Sequence, residues 1–148
     1  MSNPSIVTRD ATLADLPAMT ELINQLGYST SLEEMTSRYH KIITHPDYKT
    51  VLALSSGKIA GMIGLAKNIT YELNDSLLRI LVLIVDHNHR KAGVGQVLIE
   101  QAEAWARMIG ATAIVLNCGN REKRQGAHQF YPKMGFELRS SGYRKIVN

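Results

Sequence analysis

Cysteine is almost absent from this sequence: Cys118 is the single one in 148 residues. One thiol excludes a disulfide within the chain and fits a reducing compartment. A cysteine that ends an apolar strand is usually a small buried hydrophobe. We therefore expect Cys118 to be a core residue rather than a nucleophile activated by His128.

Long hydrophobic runs are also missing. The longest unbroken apolar run, residues 80–85, is far shorter than the roughly 18 residues that indicate a membrane span. The opening "MSNPSIVTRD" has no basic segment that leads into an apolar one. We expect a cytoplasmic protein that does not engage a membrane.

Acidic residues are scarce in the last part of the chain. Residues 121–148 contain seven basic and two acidic side chains, so the net charge of +4 arises there. Such a basic segment suits a phosphorylated small molecule, a nucleic acid or merely a solvated surface. Aromatic residues make up only 6% of the chain, and few lie among these charges to stack on bases, which disfavours a nucleic acid.

The first half of the sequence predicts a strand, two helices and a meander of three strands. Asp15 is the predicted N-cap of the first helix, which stops at Gly27, and "SLEE" (31–34) is a capping box that opens the second. The second helix should end at His45-Pro46. Ser56-Gly57 and Asn74-Asp75 are the predicted hairpin turns of the meander.

The second half changes to a helical period from Gly95 and returns to apolar runs after Gly110. "ATAIVLNC" (111–118) is expected to be a strand parallel to the one that ends at Val85, since a helical crossover joins them. A short helix and a final pair of strands, within 136–147, should follow. The prediction is an α+β fold (α/β-like) in one domain, 1–148, with a mixed, mostly antiparallel sheet of about six or seven strands flanked by about four helices.

Two glycines, Gly93 and Gly95, stand between a buried strand and a helix. A turn of this kind points free N–H groups and the positive end of the helix dipole at an anion, usually phosphate. The loop of nucleotide triphosphatases is excluded because it needs four residues between its glycines and a Lys-Ser/Thr pair. The dinucleotide fingerprint is weak because the third small residue is replaced by Leu98.

The stretch "RKAGVG" (90–95) matches Arg/Gln-x-x-Gly-x-Gly/Ala and resembles the GNAT superfamily of acyl-CoA-dependent N-acetyltransferases. The resemblance covers roughly residues 5–147, through "LIVDHNHR", the helix "GQVLIEQAEAWARMIGA", the strand "AIVLNC" and the block "RQGAHQFYPKMGF". It implies acetyl-CoA as cosubstrate and a central sheet that splays at the CoA-binding strand. The implied cofactor-binding residues are Leu83, Ile84 and Val85 beside the pantetheine arm, then Arg90, Lys91, Ala92, Gly93, Val94, Gly95 and Gln96 around the pyrophosphate, with Asn117 and Arg124.

The resemblance also implies the chemistry, which is direct attack of an amine on the acetyl thioester. Tyr131 matches the tyrosine that protonates the leaving sulfur, although Pro132 disfavours helical geometry at that tyrosine. Family members often carry a glutamate eight or nine residues before Arg90, where this chain has Val82 and Leu81. A base must therefore come from elsewhere, and Glu72 is our choice over three other candidates. Those other candidates are His87, His89 and Glu21.

Further basic residues, among them Arg121, are candidates for the 3′-phosphate of CoA. His87 and His89 form a His-x-His pair without supporting ligands, so no metal site is predicted. Residues 26–39 and 68–75 should determine the acceptor, and a polycationic one would need an acidic pocket. Carboxylates that could form it are Glu33, Glu34, Glu72 and Asp75.

The sequence thus predicts an acetyltransferase acting on a primary amine of a small molecule or peptide. The alternatives are a non-catalytic acyl-CoA-binding module and, more remotely, a nucleic-acid-binding domain. The expected partners are acetyl-CoA and an amine acceptor, together with a second copy of the chain, because residues 136–147 could offer an open sheet edge.

Overall fold

Five strands and four helices make up the part of the chain that the computed structural model describes, residues 5–117, 125–139 and 142–147. In chain order they are β1 (Ile6–Asp10), α1 (Leu16–Gln25), α2 (Leu32–Ile43), β2 (Tyr48–Ser55), β3 (Lys58–Asn68), β4 (Leu77–Val85), α3 (Val94–Ile109), β5 (Ala113–Val115) and α4 (Gln125–Lys133). The five strands form one sheet in the order β1-β2-β3-β4-β5. Neighbours from β1 to β4 are antiparallel, and β5 is parallel to β4 as the helical crossover predicted. None of the described helices is long and apolar enough to cross a membrane.

The two N-terminal helices begin at the predicted residues. The Ser31 side chain accepts a hydrogen bond from the N–H of Glu34, and the Glu34 carboxylate accepts one from the N–H of Ser31, so the predicted capping box is confirmed. Asp15 occupies the N-cap position of α1, but its side chain does not cap that helix.

The Asp15 carboxylate serves the turn before α1 instead. It accepts a hydrogen bond of 2.8 Å from the N–H of Thr12 and pairs with both terminal nitrogens of Arg9, at 2.8 and 2.9 Å. The position predicted for Asp15 was therefore right and its partner wrong, because a short helical turn (Leu13–Asp15) precedes α1 and needs its own cap.

The turns of the meander are only partly as predicted. Ser56 and Gly57 join β2 to β3 with φ of 51° and 82°, the left-handed pair of a tight hairpin. The connection between β3 and β4 spans residues 69–76, so Asn74-Asp75 lies within a longer loop rather than forming a two-residue turn.

A bulge interrupts β4 at Leu81. Gly64 of β3 pairs with Val82 and the next residue, Leu65, pairs with Ile80, which leaves Leu81 without a partner on β3. Because paired residues share a face, the bulge reverses the alternation of side chains along β4. Ile84 and Val82 pack into the core beneath α1 and α2.

The opposite face of the sheet is covered by α3, whose buried side chains are Val94, Leu98, Ile99, Ala102 and Ala106. Gly61 of β3 permits this close packing. A Cβ there would stand 2.8 Å from the carbonyl oxygen of Ile84 and 2.9 Å from the Val94 side chain.

From residue 116 onwards the described chain belongs to a second compact unit. Its helix α4 runs through Pro132, so Tyr131 keeps helical geometry although a following proline disfavours it. The proline lies in the last turn, where the helix ends in a Schellman motif: Gly135, with φ of 92°, donates to Pro132 and Phe136 donates to the carbonyl of Tyr131.

The predicted final pair of strands is wrong for the residues described. Residues 136–139 and 142–147 form no strand, and Leu138, Tyr143, Ile146 and Val147 are exposed. Strand formation depends on a neighbouring strand, which local alternation of residue types cannot supply. The described sheet accordingly has five strands rather than six or seven.

Candidate active site

The connection from β4 to α3 holds the glycine turn. Two of its residues are left-handed: Lys91, with φ of 65°, and Gly93, with φ of 87°, which is also the N-cap of α3. Left-handed residues alternating with ordinary ones turn successive backbone N–H groups towards one side, as in anion-binding nests. A non-glycine residue in this conformation is uncommon, so Lys91 adds local evidence for a functional turn.

The N–H groups at this turn are available to a ligand. The first bond of α3 runs from the N–H of Val97 to the carbonyl of Gly93, at 3.1 Å. Within the described ranges no protein acceptor is found for the N–H groups of residues 93–96. These donors and the positive end of the dipole of a 16-residue helix converge here, and both favour a phosphate.

A polar network joins the start of this turn to α1. The Gln25 side chain donates to the Asp86 carboxylate at 2.7 Å and accepts from the N–H of His87 at 3.0 Å. His89 contacts the second oxygen of Asp86 through Nδ1, at 2.9 Å. The hydrogen bond from Gln25, followed by that from His89, lowers the pKa of Asp86 below its usual range, so this carboxylate is an anchor rather than a base.

The two strands beside β4 pair with it over different lengths in the described part of the chain. β5 pairs with β4 only at residues 77–79, while β3 pairs with β4 as far as Val85. Among the described residues, the backbone of Leu83, Ile84 and Val85 therefore has no partner on the β5 side. This is the splay that the sequence resemblance implied, and it leaves hydrogen-bonding groups for an extended ligand beside the strand.

A cavity of about 350 Å³ lies where α1 and α2 cross the sheet beside the bulge in β4. Leu81 and Val82 line it, Gly64 faces them across the strand pair, and Arg38 of α2 is at its wall. Its lining is mostly apolar and it is within the usual size range of small-molecule sites.

The predicted cofactor-binding residues of β4 and the turn differ in solvent exposure. Arg90, Lys91 and Gln96 are exposed, whereas the side chains of Val94 and Ile84 are buried, so only their backbone groups could meet a ligand. Ala92, Gly93, Gly95, Leu83 and Val85 are partly buried.

The remaining predicted residues lie outside the turn in the chain. Glu72 is exposed in the loop 69–76, and Asn117 and Tyr131 belong to the second unit. Arg124, Arg121 and Cys118 lie outside the described residues, and the side chain of His128 is not described. Among the described residues no cluster of three or more metal-binding side chains occurs.

Sequence reasoning missed the cavity, the bulge at Leu81 and the Gln25–Asp86 network. Periodicity in α2 contained one usable signal: Met35, Tyr39 and Ile42 form its inner face, and Arg38 adjoins that face. The network joins residues 61 positions apart in the chain, and no local pattern reports such a contact.

Comparisons with known proteins agree with this architecture. The acetyltransferase (GNAT) family matches residues 16–136. An uncharacterized N-acetyltransferase of Bacillus subtilis (strain 168), YhdJ, is 29% identical over 132 residues, which cover 88% of each chain.

Among solved structures, a GNAT family acetyltransferase of Staphylococcus aureus is 31% identical, with a TM-score of 0.82 over 97% of this chain and 99% of the other. An aminoglycoside antibiotic 6'-N-acetyltransferase of Acinetobacter haemolyticus shares the fold at 22% identity, with a TM-score of 0.79 over 96% and 99% of the two chains. The predicted α+β fold class is thereby confirmed, and this chain belongs to the GNAT family of acetyltransferases.

Proposed function

We propose that the chain transfers an acetyl group from acetyl-CoA to the primary amine of a small molecule or peptide, by direct attack in a ternary complex. The observation that carries this proposal is the turn between β4 and α3, with left-handed Lys91 and Gly93 and four N–H groups that have no acceptor among the described residues. Acetyl-CoA, when bound, supplies a pyrophosphate for these donors and an acetyl thioester for the reaction.

The residues of β4 and the turn fit this cosubstrate. The N–H groups of residues 91–96 would bind the pyrophosphate, and Arg90 and Lys91 are exposed cations beside it. The unpaired edge at Leu83–Val85 would hold the pantetheine arm by backbone hydrogen bonds. An N–H of that edge would polarise the thioester carbonyl, an oxyanion-type stabilisation.

Tyr131 is the proposed acid for the leaving thiolate. The pKa values of a free thiol and a phenol are about 8.5 and 10, close enough for efficient proton transfer between them. Its ring packs edge-on against Phe130 and Phe136, at 5.3 and 5.5 Å between ring centroids, and this packing fixes the ring.

Tyr131→Phe retains those ring contacts and removes only the hydroxyl. We expect turnover to fall by about 100-fold, the usual share of one general acid, while acetyl-CoA affinity stays constant. Steady-state kinetics with calorimetric titration separates the two effects. Full turnover by the variant across the pH range would remove Tyr131 from the mechanism.

Glu72 is retained as the proposed base for the attacking amine. Of the four candidates, Glu72, Glu21 and His87 are exposed, and His89 is committed to Asp86. No carboxylate is found among the described residues that line the cavity, so a water chain would connect Glu72 to the amine. Glu72→Gln should lower kcat/KM at pH 7 and less at high pH, where the free amine is already abundant.

The first experiment is a calorimetric titration with acetyl-CoA and CoA, with ATP and NADH as controls, followed by a transfer assay on a panel of amines. Selective binding of the CoA species and acetylated product support the proposal. Binding without hydrolysis or transfer would favour the non-catalytic acyl-CoA-binding module, and absence of CoA binding would refute the enzyme. We keep the cytoplasm as the proposed location, since the chain's single cysteine fits a reducing compartment.

A further inference from the structure

The cavity beside the bulge of β4 adjoins the strand that leads to the proposed CoA turn. Its floor is Met62, which is 3% exposed, and its rim includes Leu81, which is 49% exposed. Gly64 lets Val82 pack closely against β3 at the cavity wall, because a Cβ there would stand 3.0 Å from the Val82 side chain. A ligand in this cavity therefore reaches the same strand as the proposed pantetheine arm.

The polar groups of the cavity are few and uncharged, with one exception. Desolvation raises the pKa of Tyr39, as expected for a hydroxyl in dry surroundings, and the nearby Thr50 side chain partly opposes this. Arg38 is the only charged residue that lines the cavity within the described chain. The four carboxylates that the sequence offered for an acidic pocket do not line it.

The guanidinium of Arg38 keeps donors free for a ligand. It donates to the hydroxyl of Thr30, and among the described residues it forms no ion pair. Glu34, one helical turn earlier, is held by its hydrogen bonds with Ser31, which chiefly lower its pKa, and the charge of Arg38 adds a smaller effect in the same direction. Thr30 is itself held by two hydrogen bonds with the Asn24 side chain, which fixes the position of the Arg38 partner.

We propose that this cavity selects an acceptor that joins its amine to an apolar body and a carboxylate, with Arg38 binding the carboxylate. The assignment rests on the proposed function, and it gives that function a substrate class. The apolar wall favours the binding of an aliphatic or aromatic group. A guanidinium without an ion-pair partner can bind a carboxylate through two parallel hydrogen bonds. A polycation such as an aminoglycoside or a polyamine meets a like charge here and no carboxylate.

Matched acceptors test the assignment. Phenylalanine and 2-phenylethylamine differ only in the carboxylate, and spermidine and kanamycin represent polycations. Transfer is followed by release of the CoA thiol and by the mass of the product. We expect phenylalanine to have the higher kcat/KM against spermidine and kanamycin, and the reverse order would overturn the proposal.

Arg38→Gln isolates the contribution of the charge. We expect it to raise KM for phenylalanine by about 10- to 100-fold, the loss of a charged hydrogen-bonded pair, with kcat unchanged. KM for 2-phenylethylamine should stay within about twofold, and the ratio between enzymes cancels the difference in amine basicity. Arg38→Lys should recover part of the affinity, and Arg107→Gln, an exposed arginine on α3, is the matched control.

Equal effects of Arg38→Gln on both acceptors would refute the pairing with the carboxylate. Binding of N-acetylphenylalanine, followed by NMR in the absence of CoA, separates this result from failure of the proposed function. Binding that depends on Arg38 supports the cavity even in a chain that does not bind acetyl-CoA. Acetylation of spermidine with no Arg38-dependent binding supports the enzyme and refutes the cavity assignment.

Discussion

At the scale of single residues, Asp15 shows how one carboxylate ties a strand to a helix. The hydrogen bond from Arg9, with further help from Thr12, lowers its pKa from 3.8 to about 2. A depressed pKa means that the folded state favours the ionised form. Its stabilisation is complete above pH 4 and is lost as the pH falls through about 2.

Asp15→Asn should therefore lower the free energy of unfolding at pH 7 by about 1–2 kcal/mol, allowing for screening around the partly exposed Arg9. The difference from the unmodified chain should shrink as the pH falls from 4 towards 2. Urea unfolding at several pH values measures it. Asp75→Asn, at an exposed carboxylate without an ion pair among the described residues, is the control. A difference that does not change with pH would contradict the assignment of this pKa.

The two glycines that bound α3 offer a second prediction at this scale. Gly93 and Gly110 are both left-handed, with φ of 87° and 74°, and a Cβ at either would meet open space. Alanine at each should cost about 1 kcal/mol of stability. We expect Gly93→Ala alone to weaken acetyl-CoA binding, by about tenfold or more, because the strain tilts the N–H groups of the turn. Calorimetry with both variants decides, and equal affinities would show that the turn does not hold the ligand.

At the scale of elements, the contact between α1 and the start of the glycine turn should matter for binding. Gln25→Ala removes two hydrogen bonds, to Asp86 and from His87, and leaves the turn attached mainly through its own backbone. We expect acetyl-CoA affinity to fall about fivefold and stability by about 1–2 kcal/mol. Gln101→Ala on α3 is a matched control for the loss of a glutamine. If Gln25→Ala binds acetyl-CoA with unchanged affinity, the network contributes to stability and not to ligand binding.

The elements that the sequence predicted well are those with local signals. The capping box at Ser31, the left-handed stop at Gly110 and the crossover that makes β5 parallel all depend on neighbouring residues or on simple topology. The bulges opposite Ala53–Leu54 and Gly64–Leu65 were not predictable, since apolar residues line both sides of the sheet there. The left-handed conformation at position 91 was also not predictable, because the residue there is a lysine and not a glycine.

At the scale of the whole molecule, one part of the proposed site was predictable from the sequence and the other part was not. The glycine motif predicted the turn that we propose for CoA, because backbone donors at a helix start need only a short sequence. The proposed acceptor cavity could not be predicted, because α1, α2 and three strands create it together. Arg38 became a candidate for binding a carboxylate only once the structure showed that the other described residues lining the cavity are uncharged.

Self-association remains a prediction at this scale. Leu138 and Tyr143 are 95% and 101% exposed, and such apolar surface in residues 136–147 suits a partner. We expect a homodimer in analytical ultracentrifugation and a shift towards monomer in the double variant Leu138→Lys, Tyr143→Lys. Tyr71→Lys, at an equally exposed tyrosine in the loop 69–76, should not shift it. A monomeric unmodified chain at high concentration would refute this prediction.

Because of the bulge at Leu81, the number of residues in β4 matters as well as their apolar character. Leu78 and Ile80 are in one phase of the pleat and Val82 and Ile84 in the other, so four apolar residues at even spacing serve two different layers. Deleting Leu81 would restore an unbroken ladder in which every remaining residue of β4 keeps its partner on β3 and therefore its face of the sheet. The deletion should thus leave the core packing largely intact and disturb the cavity that Leu81 lines, which makes the extra residue a feature of the proposed site rather than of the fold.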